Sequence, residues 1–162
     1  MRKILEAYLR RVEWDEGRPH RHVDRMFRPD ALDQLLPQVD FVLVTAPLTP
    51  ETRGLLDRRQ LDLMKREAGL INMGRAGVVD YDALRDKLAR AELSGAILDV
   101  FDPEPLPSSS PLWGTPNLVM TPHCSSDAPD YADRTLDLFF ENFRRYLAGR
   151  AMRNVVDRAL QY

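Results

Sequence analysis

Four short runs rich in branched aliphatic residues punctuate the chain: DFVLVTAP (40–47), GLINMG (69–74), GAILDV (95–100) and NLVMTP (117–122). Each is too short for a packed helix and too continuously apolar for a half-exposed strand, which is the pattern of strands buried on both faces. The segments between them carry helix signals. DRRQLDLM (57–64) opens on Asp57, and DYDALRDKLARA (80–91) opens on Asp80 and sets Leu84, Leu88 and Ala91 on one face. A leading aspartate accepts hydrogen bonds from the free N–H groups of a first helical turn. Strands joined by helices of this length pair in parallel, because only a crossover returns the chain to the starting edge. The expected fold is α/β: a parallel sheet with helices on both faces.

The flanks are less regular. Ile4, Leu5, Tyr8, Leu9 and Val12 recur at helical spacing, so the first dozen residues read as an amphipathic helix, or as a helix running into a short strand around Val12 to Trp14. Residues 16–28 are polar and basic, a surface loop, and DALDQLLP (30–37) makes two helical turns that Pro37 stops. From Pro129 to Ala148, Tyr131, Leu136, Leu138, Phe139, Phe140, Phe143, Tyr146 and Leu147 cover more than one face of a long helix, which predicts burial on two sides.

Composition narrows the function classes. With 23 basic and 25 acidic residues among 162, bulk charge favours neither nucleic acid nor an anionic membrane as partner. Runs such as FVLV (41–44) are far too short to span a bilayer, and the single Cys124 permits no internal disulfide; both fit a cytoplasmic protein. Cys124 sits beside His123 on an extended stretch, where adjacent side chains point apart, so it reads as packing rather than as a nucleophile. His20 and His22 lie among arginines with no third ligand nearby, and no metal site is expected.

Three polar groups follow three of the strands: Arg75 after GLINMG, Glu104 in DVFDPEPLP, and His123 in TPHCSS. Taken singly, each has a plainer reading, as a surface ion pair, a solvated loop residue or a satisfied buried histidine. Their shared position changes the balance, since the carboxyl ends of parallel strands gather along one edge where ligands bind. Arginine grips a carboxylate with two parallel bonds, and a histidine beside a carboxylate can deliver a proton as a general acid. An acidic substrate that gains or loses a proton is implied. Gly74 and Gly77 flank Arg75, which predicts a backbone that bends tightly there.

VTAPLTPETRGLL, LINMGRAGVVD, GAILDVFDPEPLP and LVMTPHCSS, in this order and spacing, resemble the nicotinamide-binding half of the D-isomer-specific 2-hydroxyacid dehydrogenases over about residues 18 to 157. The resemblance implies a Rossmann-type domain and hydride transfer between a nicotinamide cofactor and a small 2-oxo or D-2-hydroxy acid. It makes Arg75 the substrate-orienting arginine, His123 the acid/base and Glu104 its carboxylate partner. Cofactor contacts fall on Ala46, Pro47, Met73, Gly74, Arg75, Asp99, His123, Ser125 and Ser126. Paired relatives imply a homodimer of the full-length form. The rival reading from another class is a non-catalytic nicotinamide-binding or scaffold protein, or an inert fragment of the enzyme.

One departure stands out. The eight glycines, at 17, 54, 69, 74, 77, 95, 114 and 149, contain no G-x-G, so the fingerprint that binds the cofactor's pyrophosphate is absent. The chain therefore reads as a single partial NAD(P)-binding domain over residues 1–162, N-terminally truncated and lacking the first strand and glycine-rich loop. Residues 129–162 form the helix and tail that would return to a substrate domain. Asp15 or Glu16 suits the ribose hydroxyls of NAD and Arg18 or Arg21 the extra phosphate of NADP, with NAD the preferred cofactor and NADP the alternative.

Overall fold

The computed structural model describes the main chain of Leu5–Glu6, then Arg25, residues 27–156 and Arg158. It divides into two compact units, Met1–His123 and Cys124–Tyr162.

The first unit is the expected parallel α/β sheet. Strand β1 (Leu5–Glu6) is followed by helix α1 (Leu32–Leu35), strand β2 (Phe41–Val44), helix α2 (Arg58–Asp62), strand β3 (Gly69–Asn72), helix α3 (Tyr81–Ala89), strand β4 (Gly95–Leu98) and strand β5 (Leu118–Met120). All pairs are parallel and the spatial order is the chain order. Both expected caps are present: the Asp57 carboxylate accepts from the Arg59 and Gln60 amides, and Asp80 accepts from the Ala83 amide at 2.9 Å.

Three expectations are corrected. Leu5–Glu6 is a strand on β2 rather than part of a helix, because the edge of β2 offers main-chain partners that helical spacing alone does not weigh; the rest of that helix reading, the strand at 12–14 and His20 and His22 lie outside the described residues. The α-helix ends at Leu35, just before Pro37 as expected, but the helical course goes on in a short 3-10 turn, Leu36–Gln38, whose second residue, Pro37, needs no N–H there. Ala91 has left α3 and sits at φ 52°, so it is not on the buried face with Leu84 and Leu88.

Parallel crossovers are right-handed, so with strands laid down in sequence the described helices of this unit stack on one face of the sheet, where helices on both faces were expected. Accordingly α2 and α3 touch, and the core on that face joins Val44, Leu70, Ala96 and Leu98 of the strands to Leu61, Leu84 and Leu88 of the helices. The opposite face carries another in-register apolar row, Leu43, Ile71, Ile97 and Val119, which is only partly buried, with Val119 57% exposed.

In the second unit, helix α4 (Tyr131–Leu147) has no buried residue, against the expectation of burial on two sides. Phe139 packs edge-on against Phe140 and stacks with Phe143, yet all three are about half exposed. Among the described residues of its own unit the helix is flanked by the 124–130 loop and a short tail, and that tail is fixed by polar bonds, Arg153 N–H to Asn142 and the Arg153 guanidinium to Glu141.

Adjacent β4 residues test this division of the sheet. Leu98→Ala should cost about 2–5 kcal/mol, the usual range for a buried leucine, and Ile97→Ala markedly less, because its neighbours already leave it half open. Urea denaturation of both variants measures the difference; equal losses would mean the two faces are equally covered.

Candidate active site

Strands β2 to β5 stop on one register row: Val44 pairs with Asn72, Asn72 with Leu98, and Leu98 with Met120. The ladder runs one residue further, with Met73 N–H donating to Val44, Asp99 to Asn72 and Thr121 to Leu98. Four loops therefore leave the sheet side by side. They begin at Thr45, Met73, Asp99 and Thr121, and they carry every expected site residue of the first unit that lies within the described residues.

His123 Nδ1 lies 2.9 Å from Glu104 Oε2. A carboxylate only accepts, so Nδ1 is the donor and Nε2 is left as the nitrogen that can exchange a proton. The other oxygen, Glu104 Oε1, accepts the Phe101 amide at 2.6 Å. His123 itself holds φ 55°, a left-handed conformation that costs a non-glycine residue about 1–3 kcal/mol and gathers at functional sites. Its amide is tied to the Thr121 carbonyl at 3.0 Å.

The bond from His123 holds the Glu104 carboxyl below its ordinary value, aided by the Phe101 amide and the charges of His123 and Arg75. Arg75 contributes the least of these effects; it stands on the loop after β3, beside the Glu104 loop after β4 and the His123 turn after β5. Its guanidinium is exposed and donates to the neighbouring Gly74 carbonyl at 2.7 Å.

The glycines around Arg75 serve a different purpose from the expected one. Neither Gly74 nor Gly77 has positive φ. A Cβ on Gly74 would stand 2.6 Å from the Ala46 carbonyl oxygen, so glycine is required there for close approach of the β3 loop to the β2 loop. At Gly77 the neighbours are the methyl groups of Leu48, at 3.2 Å.

Among the remaining expected residues, Pro47 and Met73 are exposed along the strand-end edge, while Ala46 and Gly74 are buried beneath it. Asp99 is 1% exposed and its carboxylate accepts the Thr121 hydroxyl, bracing β4 against β5. Ser125 and Ser126 are exposed and belong to the second unit. Asp15, Glu16, Arg18 and Arg21 lie outside the described residues. Sequence reasoning missed Asn72 and Tyr81, which lie under the Arg75 loop: Asn72 Nδ2 donates to the Arg75 carbonyl at 3.1 Å and to the Tyr81 hydroxyl at 2.9 Å.

Residues 6–125 match the family described as D-isomer specific 2-hydroxyacid dehydrogenase, NAD binding domain. The chain belongs to this family. It is 40% identical over 148 residues to glyoxylate/hydroxypyruvate reductase B of Pectobacterium carotovorum, covering 90% of this chain and 46% of that one. A D-isomer specific 2-hydroxyacid dehydrogenase from Xanthobacter autotrophicus Py2, solved with NADPH and MES, is 41% identical with a TM-score of 0.75, over 82% of this chain and 54% of its own. The NADPH-dependent glyoxylate/hydroxypyruvate reductase of Sinorhizobium meliloti, solved with NADP and sulfate, gives a TM-score of 0.79 at 29% identity, over 90% and 48%. The chain spans about half the length of the curated relatives it matches.

The lowered Glu104 carboxyl makes a pH prediction for this domain. A depressed folded value adds stability that is complete above the unfolded carboxyl value of 4.5 and is lost as pH falls through the lower folded value. Relative to Glu104→Gln, the parent should lose stability as pH drops below 4.5, and urea midpoints across the acid range measure it. Parallel curves would show that the carboxylate gains nothing from folding.

Proposed function

We propose that this chain is the nicotinamide-binding half of an oxidoreductase that moves a hydride between NAD or NADP and C2 of a 2-oxo or D-2-hydroxy acid. One observation carries the reading: a histidine bonded to a carboxylate stands where adjacent parallel strands end in register, with an arginine on the loop of the neighbouring strand.

The cofactor supplies the hydride when bound. Its nicotinamide end would be held along the exposed edge of Pro47 and Met73 over the closely packed Ala46 and Gly74, with Asp99 as a further contact. The protein residues do the rest. Arg75 releases the Gly74 carbonyl to grip the substrate carboxylate, and this pairing orients the carbonyl to be reduced. His123 Nε2 gives a proton to the oxygen as negative charge develops there, while Glu104 fixes the ring through Nδ1 and balances the charge of the imidazolium. In the oxidative direction the same nitrogen takes the proton back.

Relatives named as glyoxylate/hydroxypyruvate reductases support a small 2-oxo acid as substrate. Residues 129–162 would return the chain to a substrate domain, and the exposed apolar side of α4 suits that contact or a homodimer of the complete protein. Among the described residues no helix is long and apolar enough to cross a membrane. The single cysteine suits a reducing compartment, and on that ground we assign the protein to the cytoplasm.

Two measurements test the reading. In a chimaera whose preceding residues come from a reductase B relative, His123→Ala should lower turnover on glyoxylate or hydroxypyruvate by about two to four orders of magnitude with little change in cofactor affinity. Near-parent turnover would remove His123 from the chemistry and favour a nicotinamide-binding protein without catalysis. The 162-residue chain alone should bind NADH more weakly than low-micromolar, because it has no G-x-G loop for the pyrophosphate. Cofactor fluorescence decides this, and tight binding would mean that the nicotinamide end suffices.

A further inference from the structure

Asn72, at the end of β3, is 0% exposed and in the middle of an apolar run. A buried amide is costly unless its polar atoms are satisfied. Here Nδ2 spends both hydrogens, one on the Arg75 carbonyl and one on the Tyr81 hydroxyl, and Oδ1 accepts the Gly74 amide at 3.1 Å. The amide thus holds the main chain on both sides of the Gly74–Arg75 link. Tyr81, the first residue of α3, passes the connection on by donating its hydroxyl to the Val100 carbonyl at 2.8 Å.

That carbonyl and the Phe101 N–H belong to one peptide group, whose two polar atoms point in opposite directions. One end is held by Tyr81 and the other by Glu104, the partner of His123. The hydrogen bonds therefore form one unbroken chain: Arg75 main chain, Asn72, Tyr81, the 100–101 peptide, Glu104, His123. A bond to a peptide carbonyl polarises that peptide and strengthens what its N–H donates. Burial pushes the Tyr81 phenol well above its ordinary value, so it stays protonated and remains a donor at any working pH.

We propose that Asn72 and Tyr81 are positioning residues that lock the Arg75 loop and the Glu104–His123 pair into one fixed constellation, with the 100–101 peptide as the joint. The inference rests on the catalytic reading above for its purpose, but its geometry can be tested without turnover. Neither residue touches substrate. They act by setting where Arg75 and Glu104 stand relative to each other.

The experiment is a carbon-13 NMR titration of the Glu104 carboxyl in the 162-residue chain, assigned by its disappearance in Glu104→Gln, comparing the parent with Tyr81→Phe. Phenylalanine keeps the ring and removes only the hydroxyl. With the peptide no longer held from its carbonyl side, the Phe101 amide is a weaker and less fixed donor, so the Glu104 midpoint should rise towards the ordinary carboxyl value. The far-UV spectrum should be unchanged. Asn72→Ala is the second variant, read by hydrogen exchange: the Gly74 amide should lose protection while the amides of the β3–β4 ladder keep theirs. A Glu104 titration unchanged by Tyr81→Phe, or Gly74 protection unchanged by Asn72→Ala, would overturn the proposal. In the chimaera, Tyr81→Phe should also lower turnover on glyoxylate by about tenfold, the size of one lost hydrogen bond of positioning, and should have a smaller effect once His123 is alanine. If the chimaera proves inactive while the titration and exchange shift as stated, the positioning role stands and the catalytic reading falls.

Discussion

The site depends on four parallel strands ending in step. Because Val44, Asn72, Leu98 and Met120 share one register row, the loops that follow start from a common line, and residues far apart in sequence come within hydrogen-bond reach. A slip of one residue in any pair would turn that strand's side chains to the other face and move its loop off the line. The buried apolar row beneath makes such a slip expensive. Leu70 and Leu98 are each fully buried against α2 and α3 on the covered face, and core residues of this size are worth several kcal/mol. The position of His123 relative to Arg75 is in this sense a property of the core.

Polar bonds then refine what register begins. The strand ends alone leave the Arg75 loop, the Glu104 loop and the His123 turn as separate pieces of main chain. Gly74 lets the first approach the Ala46 carbonyl, Asp99 and Thr121 fasten β4 to β5, and the bonds through Asn72 and Tyr81 join the Arg75 and Glu104 loops. The left-handed backbone of His123 is sustained by this surrounding framework, as expected where an unfavourable conformation serves to aim a side chain.

Much of this was legible in the sequence, and the failures have physical causes. The central strands and the Asp57 and Asp80 caps could be read because burial of both strand faces and N-capping are local signals. Arg75, Glu104 and His123 could be grouped because each follows a strand. The first residues misled: helical spacing of apolar residues said nothing of the unpaired edge of β2 with which Leu5–Glu6 pair. The apolar residues of α4 pointed to a burial that the structure does not show, since whether such a face is covered depends on neighbours that the spacing does not name. The glycines at 74 and 77 suggested a tight bend, whereas contact with distant backbone and side chains explains them. Asn72 escaped notice because its partners, at 74, 75 and 81, become neighbours only when the loop folds back over the strand end.

If the proposed chemistry holds, Arg75 and His123 face a single acidic ligand. A crystal structure of the chimaera with its nicotinamide cofactor and oxamate, an unreactive mimic of a 2-oxo acid, decides this. Two parallel bonds should run from the Arg75 guanidinium to the oxamate carboxylate, with His123 Nε2 within about 3.2 Å of the adjacent carbonyl oxygen. Oxamate held by other residues, or bound to Arg75 with His123 Nε2 turned away from it, would rule the arrangement out.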